Sequence, residues 1–301
     1  MAKNYFNRYV WLIDQIHRHG HITKKELDEA WSRSSLNDLR EDKIPERTFF
    51  NHIIAIADTF GLDIKCDRAL GYYIENDDDM NGNSLTKWML NSLSLRNLVN
   101  ESVSVKDRII VDDVPSGEVW LTEISRAMTE SKTVRMTYHS FYRPEASTFD
   151  LQPWCLRLFR QRWYVLGLSE GYSDPRIYAL DRIENLEATS GKFTLPSGFN
   201  ASEYFNDIVG VSVGDCDNVV DVKLMVDPYQ ANYLRSLPLH HSQREIETTK
   251  DYVVFYYHLA PTFEFKQAVL SLMDTAEILE PQSLRSELAE IVSKMHEAYH
   301  K

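Results

Sequence analysis

Residues 161–183, QRWYVLGLSEGYSDPRIYALDRI, constrain this chain more than any other stretch. Residues 163–168 are β-branched, aromatic and aliphatic, the polar segment 171–175 contains Gly and Pro, and residues 176–183 resume the apolar pattern. That order predicts two short strands joined by a turn. Period-two alternation places Arg176, Tyr178, Leu180 and Arg182 on one face of the second strand, so two guanidinium groups flank a Tyr and a Leu. A plain hydrophobic core has no use for such an arrangement.

These residues resemble a family. Trp163-Tyr164-Val165, Arg176 and Leu180-Asp181-Arg182-Ile183, together with the upstream Leu151-Gln152-Pro153-Trp154, are similar to the signature of WYL-domain proteins. Val165 stands where the name-giving Leu would be. The resemblance implies a bacterial transcription regulator whose central domain is a small Sm-like β-barrel with a pocket for nucleotides, oligonucleotides or single-stranded DNA.

The flanking segments decide how far that expectation extends. With 301 residues and 43% hydrophobic side chains, the chain can bury two or three cores. The first ten residues lack the apolar centre of a signal peptide, and no apolar run approaches the roughly 20 residues that span a bilayer. A cytoplasmic protein with no membrane partner is expected. Cys66, Cys155 and Cys216 form no CxxC, so neither a disulfide framework nor a zinc site is indicated. The net charge of -12 argues against indiscriminate coating of nucleic acid. Residues 1–75 hold 11 basic and 12 acidic side chains, however, so almost all the excess acidity lies beyond them.

That near-neutral front end has the layout of three helices and a wing. Tyr5, Tyr9, Leu12, Ile13 and Ile16 have helical spacing, and Gly20 ends the run. Thr23 with Glu26 forms a capping box for a helix over 24–31. Pro45 suits the first turn of a third helix that Gly61 stops near Phe60. Phe49, Phe50, Ile53, Ile56 and Phe60 form its expected inward stripe, leaving Arg47, Thr48, Asn51, His52 and Ala55 outward. Asn pairs with adenine, Arg with guanine, and Ala or the Thr methyl meets a thymine methyl. Residues 62–66 and 71–75 alternate like a hairpin, with Lys65 and Arg68 near a tip suited to phosphate. Arg47-Thr48 and Gly71-Tyr72 resemble the recognition-helix start and the wing end of the winged helix-turn-helix found at the front of WYL regulators. Asn51-His52 departs from the Arg-Asp usual there. A small helical domain used for protein contacts is the alternative.

Residues 76–83, NDDDMNGN, read as a linker. Ser84 can cap a helix over 85–103 with a broad apolar surface, part of it suited to a partner subunit. A short strand at 109–111 and a helix over 118–130 follow. Five strand-like runs occupy 133–187, which suggests a small barrel. Seven arginines and no lysine lie from Arg135 to Arg182: Arg135, Arg143, Arg157, Arg160, Arg162, Arg176 and Arg182. Arginine grips planar and phosphate-like groups bidentately, and Tyr138, Tyr164 and Tyr178 offer stacking surfaces. The expected pocket residues are Tyr138, Arg157, Tyr164, Arg176 and Arg182. Arg160 and Arg162 also fit a solvated hairpin turn, Trp163 fits the core better than a contact, and Asp181 can pair with an arginine.

Residues 191–216 are expected to be a connection crossing the surface. Beyond them, alternating strands and helices fit an α/β sandwich, with Leu284, Leu288, Ile291, Met295 and Tyr299 inward on the last helix. Leu279-Glu280-Pro281, Leu284-Arg285 and His241-Ser242-Gln243 resemble the WCX extension of WYL regulators. No Gly-rich phosphate loop, GxSxG, HExxH or DxDxDG occurs, so neither an enzyme nor a cofactor is expected. His17, His19 and His21 straddle the helix end at Gly20, and the diverging His240-His241 pair fits a surface loop.

The expected chain is therefore a multidomain α+β protein. Residues 1–76 form a winged helix-turn-helix that binds double-stranded operator DNA, and 77–131 a helical linker and dimerisation region. Residues 132–192 form the WYL barrel that senses a nucleotide-like or oligonucleotide effector, 193–216 the connection, and 217–301 the WCX domain. A homodimer is expected. The alternative is a nucleotide-binding adaptor whose front domain contacts protein.

Overall fold

In the computed structural model, residues 5–34, 36–37, 40–75, 108, 110, 114–213 and 218–300 are described. The expected linker at 76–83, the helix over 85–103 and the strand at 109–111 lie outside them, apart from Ile110. Contacts divide the chain into two units, Met1–Asp112 and Asp113–Lys301.

The first unit holds helices α1 (Tyr5–His19), α2 (Lys24–Arg33) and α3 (Glu46–Phe60), then the antiparallel pair β1 (Ile64–Asp67) and β2 (Gly71–Ile74). Thr23 and Glu26 form both halves of the capping box on α2. Pro45 stands just before the first turn of α3, and Gly61, with φ +66°, ends that helix in the left-handed region. Leu12, Ile16, Leu27, Trp31, Phe49, Ile56 and Leu62 close one core, in which Trp11 meets Trp31 edge-on at 5.3 Å. Each such side chain contributes about 1.5–3 kcal/mol by leaving water.

The expected faces of α3 are partly exchanged. Phe50 is 53% exposed, whereas His52 is only 3% exposed. The His52 ring packs at 5.1 Å from Tyr9 and 5.7 Å from Tyr5 on α1, so aromatic packing takes it inward and away from any groove-facing role. Burial, with a smaller contribution from the Arg8 charge, pushes its pKa down to about 4.

In the second unit a 3-10 turn, Glu118–Trp120, leads into α4 (Leu121–Thr129). Then come β3 (Lys132–Tyr138), β4 (Ser147–Phe159), β5 (Arg162–Ser169), β6 (Arg176–Ala179) and β7 (Ile183–Lys192). They form one antiparallel sheet in the order β6-β5-β4-β3-β7. Its two edges are joined by a three-residue 3-10 turn, Leu180–Arg182. Laid flat, five strands would hold β6 and β7 about 19 Å apart. Four Cα steps from Ala179 to Ile183 reach at most about 14 Å, so the sheet has to curl. It does not close as the expected barrel: no ladder joins β6 to β7 among the described residues, and the seam is bridged locally by Ala179 N–H of β6 donating to the Tyr138 hydroxyl oxygen of β3 at 3.4 Å. The 3-10 turn also breaks the alternation expected beyond Ala179. Ile124 and Ala127 of α4 cover the concave face with Val134, Met136, Leu151, Trp163, Val165, Tyr178 and Leu180.

The C-terminal sheet has the order β11-β8-β10-β9, from β8 (Val220–Val226), β9 (Arg244–Thr248), β10 (Val253–Leu259) and β11 (Ala276–Glu280). Helices α6 (Pro228–Ser236), α7 (Phe263–Leu270) and α8 (Gln282–Tyr299) complete it, α5 being the short turn Ala201–Tyr204. On α8, Leu284 and Leu288 are buried and Ile291 partly so, but Met295 and Tyr299 are 50% and 87% exposed. The expected inward stripe is correct only over the half of α8 that lies against the sheet.

The expected surface connection is in part an inner strap. Phe205, Ile208, Val209 and Val211 are buried. Ala260 N–H donates to Asp207 O at 2.7 Å and the Thr262 hydroxyl to Val209 O at 3.0 Å. The buried Glu264 carboxylate accepts from the Ser212 hydroxyl at 2.9 Å, Ser212 N–H at 3.3 Å and Val211 N–H at 3.4 Å. Gly210, at φ +89°, lies so close to this side chain that an added Cβ would come within 2.5 Å of it.

Two outcomes follow. Glu264→Ala leaves buried strap donors without an acceptor and lowers stability by about 2–3 kcal/mol, read as a shift in the urea midpoint of the second unit. His52 is neutral in the fold while its unfolded counterpart takes up a proton near pH 6.5, so its contribution is full above that pH and declines as pH falls towards 4. Denaturation between pH 4 and 7 therefore shows a steeper loss in the wild type than in His52→Phe, and parallel curves would show that His52 does not titrate in this way.

Candidate functional site

The first candidate surface is the exposed side of α3 and the hairpin after it. Arg47 and Asn51 are exposed, Thr48 and Ala55 half-buried, and His52 lies inside as described above. Phe50 and Ile54, 53% and 60% exposed, join Arg47 and Asn51 on the outer side. Arg68 is exposed in the turn between β1 and β2, where Asp67 Oδ1 accepts from Ala69 N–H at 2.7 Å and Leu70 N–H at 2.9 Å. Lys65 lies at 3.5 Å from Glu75, both exposed, so its charge is partly answered within the hairpin.

The second lies at the seam of the curled sheet. Tyr138 ends β3 and Tyr178 lies in β6, both buried, their rings edge-on at 5.2 Å. The Tyr178 hydroxyl donates to Ser169 Oγ at 2.8 Å, and the Tyr138 oxygen accepts from Ala179 N–H at 3.4 Å. Burial raises both phenol pKa values. The Tyr138 hydroxyl also meets the Arg182 guanidinium, which lies 3.8 Å over the ring of Phe141.

Beside this pair, Arg162 donates to Asp181, and that hydrogen bond raises the guanidinium pKa further. The Asp181 side chain is only 10% exposed. Its Oδ1, Arg162 Nε and Arg182 Nε are buried polar atoms with no hydrogen-bond partner among the described residues. Gly117, at φ +71°, allows the lead-in to α4 to touch the turn that carries them, since an added Cβ would come within 2.4 Å of Leu180 C and Asp181 N.

The five expected pocket residues do not all converge. Tyr138 and Arg182 meet at the seam. Trp163 and Val165 face the inner core, so alternation turns Tyr164, and Arg157 paired opposite it, towards the other face. There Arg157 lies 4.1 Å over Phe205 of the strap, and burial lowers its pKa. Arg176 lies exposed at the far end of β6, 3.5 Å over Tyr172. Arg160 sits at positive φ in the β4–β5 turn and donates to Gln267 Oε1 at 3.0 Å; neither it nor Arg162 is merely solvated. Two aromatic side chains were missed from the sequence: Phe141 and Tyr142, 73% and 97% exposed, next to Arg143 in the loop between β3 and β4. The signal was an aromatic pair in a polar loop, which spacing alone does not distinguish from core.

Among the described residues no group of three His, Cys, Asp or Glu side chains could hold a metal ion, and no helix is long and apolar enough to cross a membrane.

Comparison with known proteins matches residues 119–188 to the WYL domain and residues 218–296 to the WCX domain. Among solved structures, the chain is similar to proteasome accessory factor B/C (PafBC) of Arthrobacter aurescens, at 16% identity and a TM-score of 0.35 over 95% of this chain. It spans 46% of that protein's length. It is also similar to a CRISPR Cas-related protein, at 14% identity and a TM-score of 0.41 over 98% of this chain and 83% of the other. No curated protein matches it. The first family match takes in α4 and the curled sheet as far as residue 188, the second takes in the sheet of β8 to β11 with its helices, and the chain is a WYL-domain protein that also carries a WCX domain.

Proposed function

We propose that this WYL-domain protein is a cytoplasmic, DNA-binding transcription regulator whose WYL domain senses a nucleotide-like or single-stranded nucleic-acid ligand. The observation that carries the ligand assignment is the seam. There Arg182, stacked on the exposed Phe141, stands with Tyr138, Arg162 and the largely covered Asp181, beside exposed Tyr142 and Arg143. Aromatic faces take bases, guanidinium groups take phosphate oxygens, and a buried carboxylate oxygen without a donor suits an amino or hydroxyl group of the ligand. Arg157, Tyr164 and Arg176 belong to other surfaces and are not assigned to this subsite.

DNA binding is assigned to the first unit, read as a winged helix-turn-helix. Arg47, Thr48 and Asn51 on α3 enter the major groove and Arg68 lies on phosphate, with Lys65 a weaker contributor because of Glu75. A homodimer would place two such helices about one DNA turn apart and supply the affinity that one weakly charged head lacks. A hundredfold effect of ligand on operator affinity needs about 2.7 kcal/mol of coupling, within the range of differential contacts to one phosphate group. The exposed Phe50 and Ile54 favour a second reading, an adaptor whose first unit contacts protein.

Binding to the DNA upstream of its own coding sequence, followed by anisotropy across a salt series, separates the two. A regulator shows sequence-specific binding that Arg47→Ala with Asn51→Ala weakens at least about tenfold, since each base contact contributes roughly 1–3 kcal/mol. Arg68→Ala weakens all sequences alike and lowers the log–log salt slope by about 1. Absence of specific binding, with or without added single-stranded oligonucleotide, would favour the adaptor. For the seam, Arg182→Ala weakens binding of mononucleotides or short single-stranded DNA roughly 10- to 100-fold; unchanged binding would remove this arginine from the site.

A further inference from the structure

The outer side of α3 carries an apolar pair that the packing of the first unit does not use. Phe50 and Ile54 stand one helical turn apart, 53% and 60% exposed, and the Phe50 ring meets that of Phe49 edge-on at 5.9 Å. Arg47 neighbours Phe50 and Asn51, and Ile54 neighbours the same two, at spacings of three and four, so the four form one contiguous patch. Residues 47–57, RTFFNHIIAIA, contain one cation and no anion, and the acidic side chains Glu46 and Asp58 stand at the two ends. The two apolar side chains alternate with Arg47 and Asn51, the two types best suited to a purine edge.

Resting on the DNA-binding function proposed above, we infer that α3 selects an A·T-rich half-site. Phe50 and Ile54 cover thymine methyl groups on either side of an adenine held by Asn51, with a guanine at the Arg47 end. The C5 methyl of thymine is the one apolar group that an unmodified base pair displays in the major groove, so a large exposed aliphatic or aromatic side chain there discriminates thymine from the other three bases. Asn51 adds the paired donor and acceptor that match adenine. The swap that buries His52 is what opens this patch: with the imidazole packed against Tyr5 and Tyr9, Phe50 rather than a polar ring occupies the outer face.

The test is selection from a randomised duplex pool with the full chain, run with and without a single-stranded oligonucleotide. Anisotropy then follows on the selected duplex and on copies carrying deoxyuridine in place of individual thymidines. The expected result is an A·T-rich motif in which each contacted methyl, once removed, weakens wild-type binding about fourfold. Phe50→Ala with Ile54→Ala should bind thymine and uracil duplexes equally, with an unchanged thermal midpoint. A G·C-rich motif, or specific binding indifferent to uracil while Arg47 and Asn51 remain necessary, would overturn the inference and leave the DNA-binding function intact. A changed oligomeric state in the double variant with an unaltered uracil response would overturn it as well, assigning the pair to a second copy of the chain. No enriched motif in either condition would overturn both.

Discussion

The WYL domain depends on one short piece of chain. The 3-10 turn Leu180–Arg182 joins the two edge strands of a five-stranded sheet, and a link of that length forces the sheet to curl so that its edges approach one another without pairing. The curl makes the inner core, where Tyr138, Trp163, Val165, Tyr178 and Leu180 pack beneath α4. It also determines where the polar groups go. A turn with Leu180 buried presents Asp181 to Arg162 and Arg182 to Phe141, so a paired carboxylate and a stacked guanidinium sit side by side. A partly buried ion pair of this kind gains little net stability, because desolvation offsets attraction, but it holds its members in one orientation.

The strap between the two sheets of the second unit has a comparable role at longer range. Phe205 receives the Arg157 guanidinium from the WYL sheet, while the backbone from Asp207 to Ser212 is held by Ala260, Thr262 and Glu264 on the WCX side. Arg160 adds a second link through Gln267. A half-buried guanidinium over an aromatic ring and a buried carboxylate with backbone donors are both costly to separate from their partners. The two sheets are therefore joined by specific polar contacts as well as by the apolar cluster of Cys155, Leu166, Ile208 and Ala260.

In the first unit, charge is distributed to a different end. Its helices and hairpin carry almost no net charge, and several cations are engaged at home: Lys24 with Asp28, Arg8 over Trp31, Lys65 with Glu75. Arg47 and Arg68 remain exposed. Under the DNA-binding function proposed above, so nearly neutral a unit would bind with modest affinity, and the chemistry of the α3 surface would carry more of the recognition.

Local spacing determined much of this protein. Capping residues, glycines at helix ends and strand alternation located α1 to α3 and most strands to within a few residues, because those signals act between near neighbours. The Trp163-Tyr164 and Asp181-Arg182 segments likewise marked the WYL sheet and part of its seam. What tertiary structure decided was which faces turn inward and which charges meet. His52 and Phe50 exchange places because α1 offers Tyr5 and Tyr9 to an imidazole. Arg157 parts from Arg182 because alternation across β4 and β5 sends it to the other face, and Phe141 becomes part of the seam because the curl brings its loop over Arg182. The far half of α8 keeps its apolar stripe in the open because the sheet ends before the helix does. In each case the deciding contact joins residues far apart in the chain, and a pattern of period two or 3.6 carries no information about the partner across the gap.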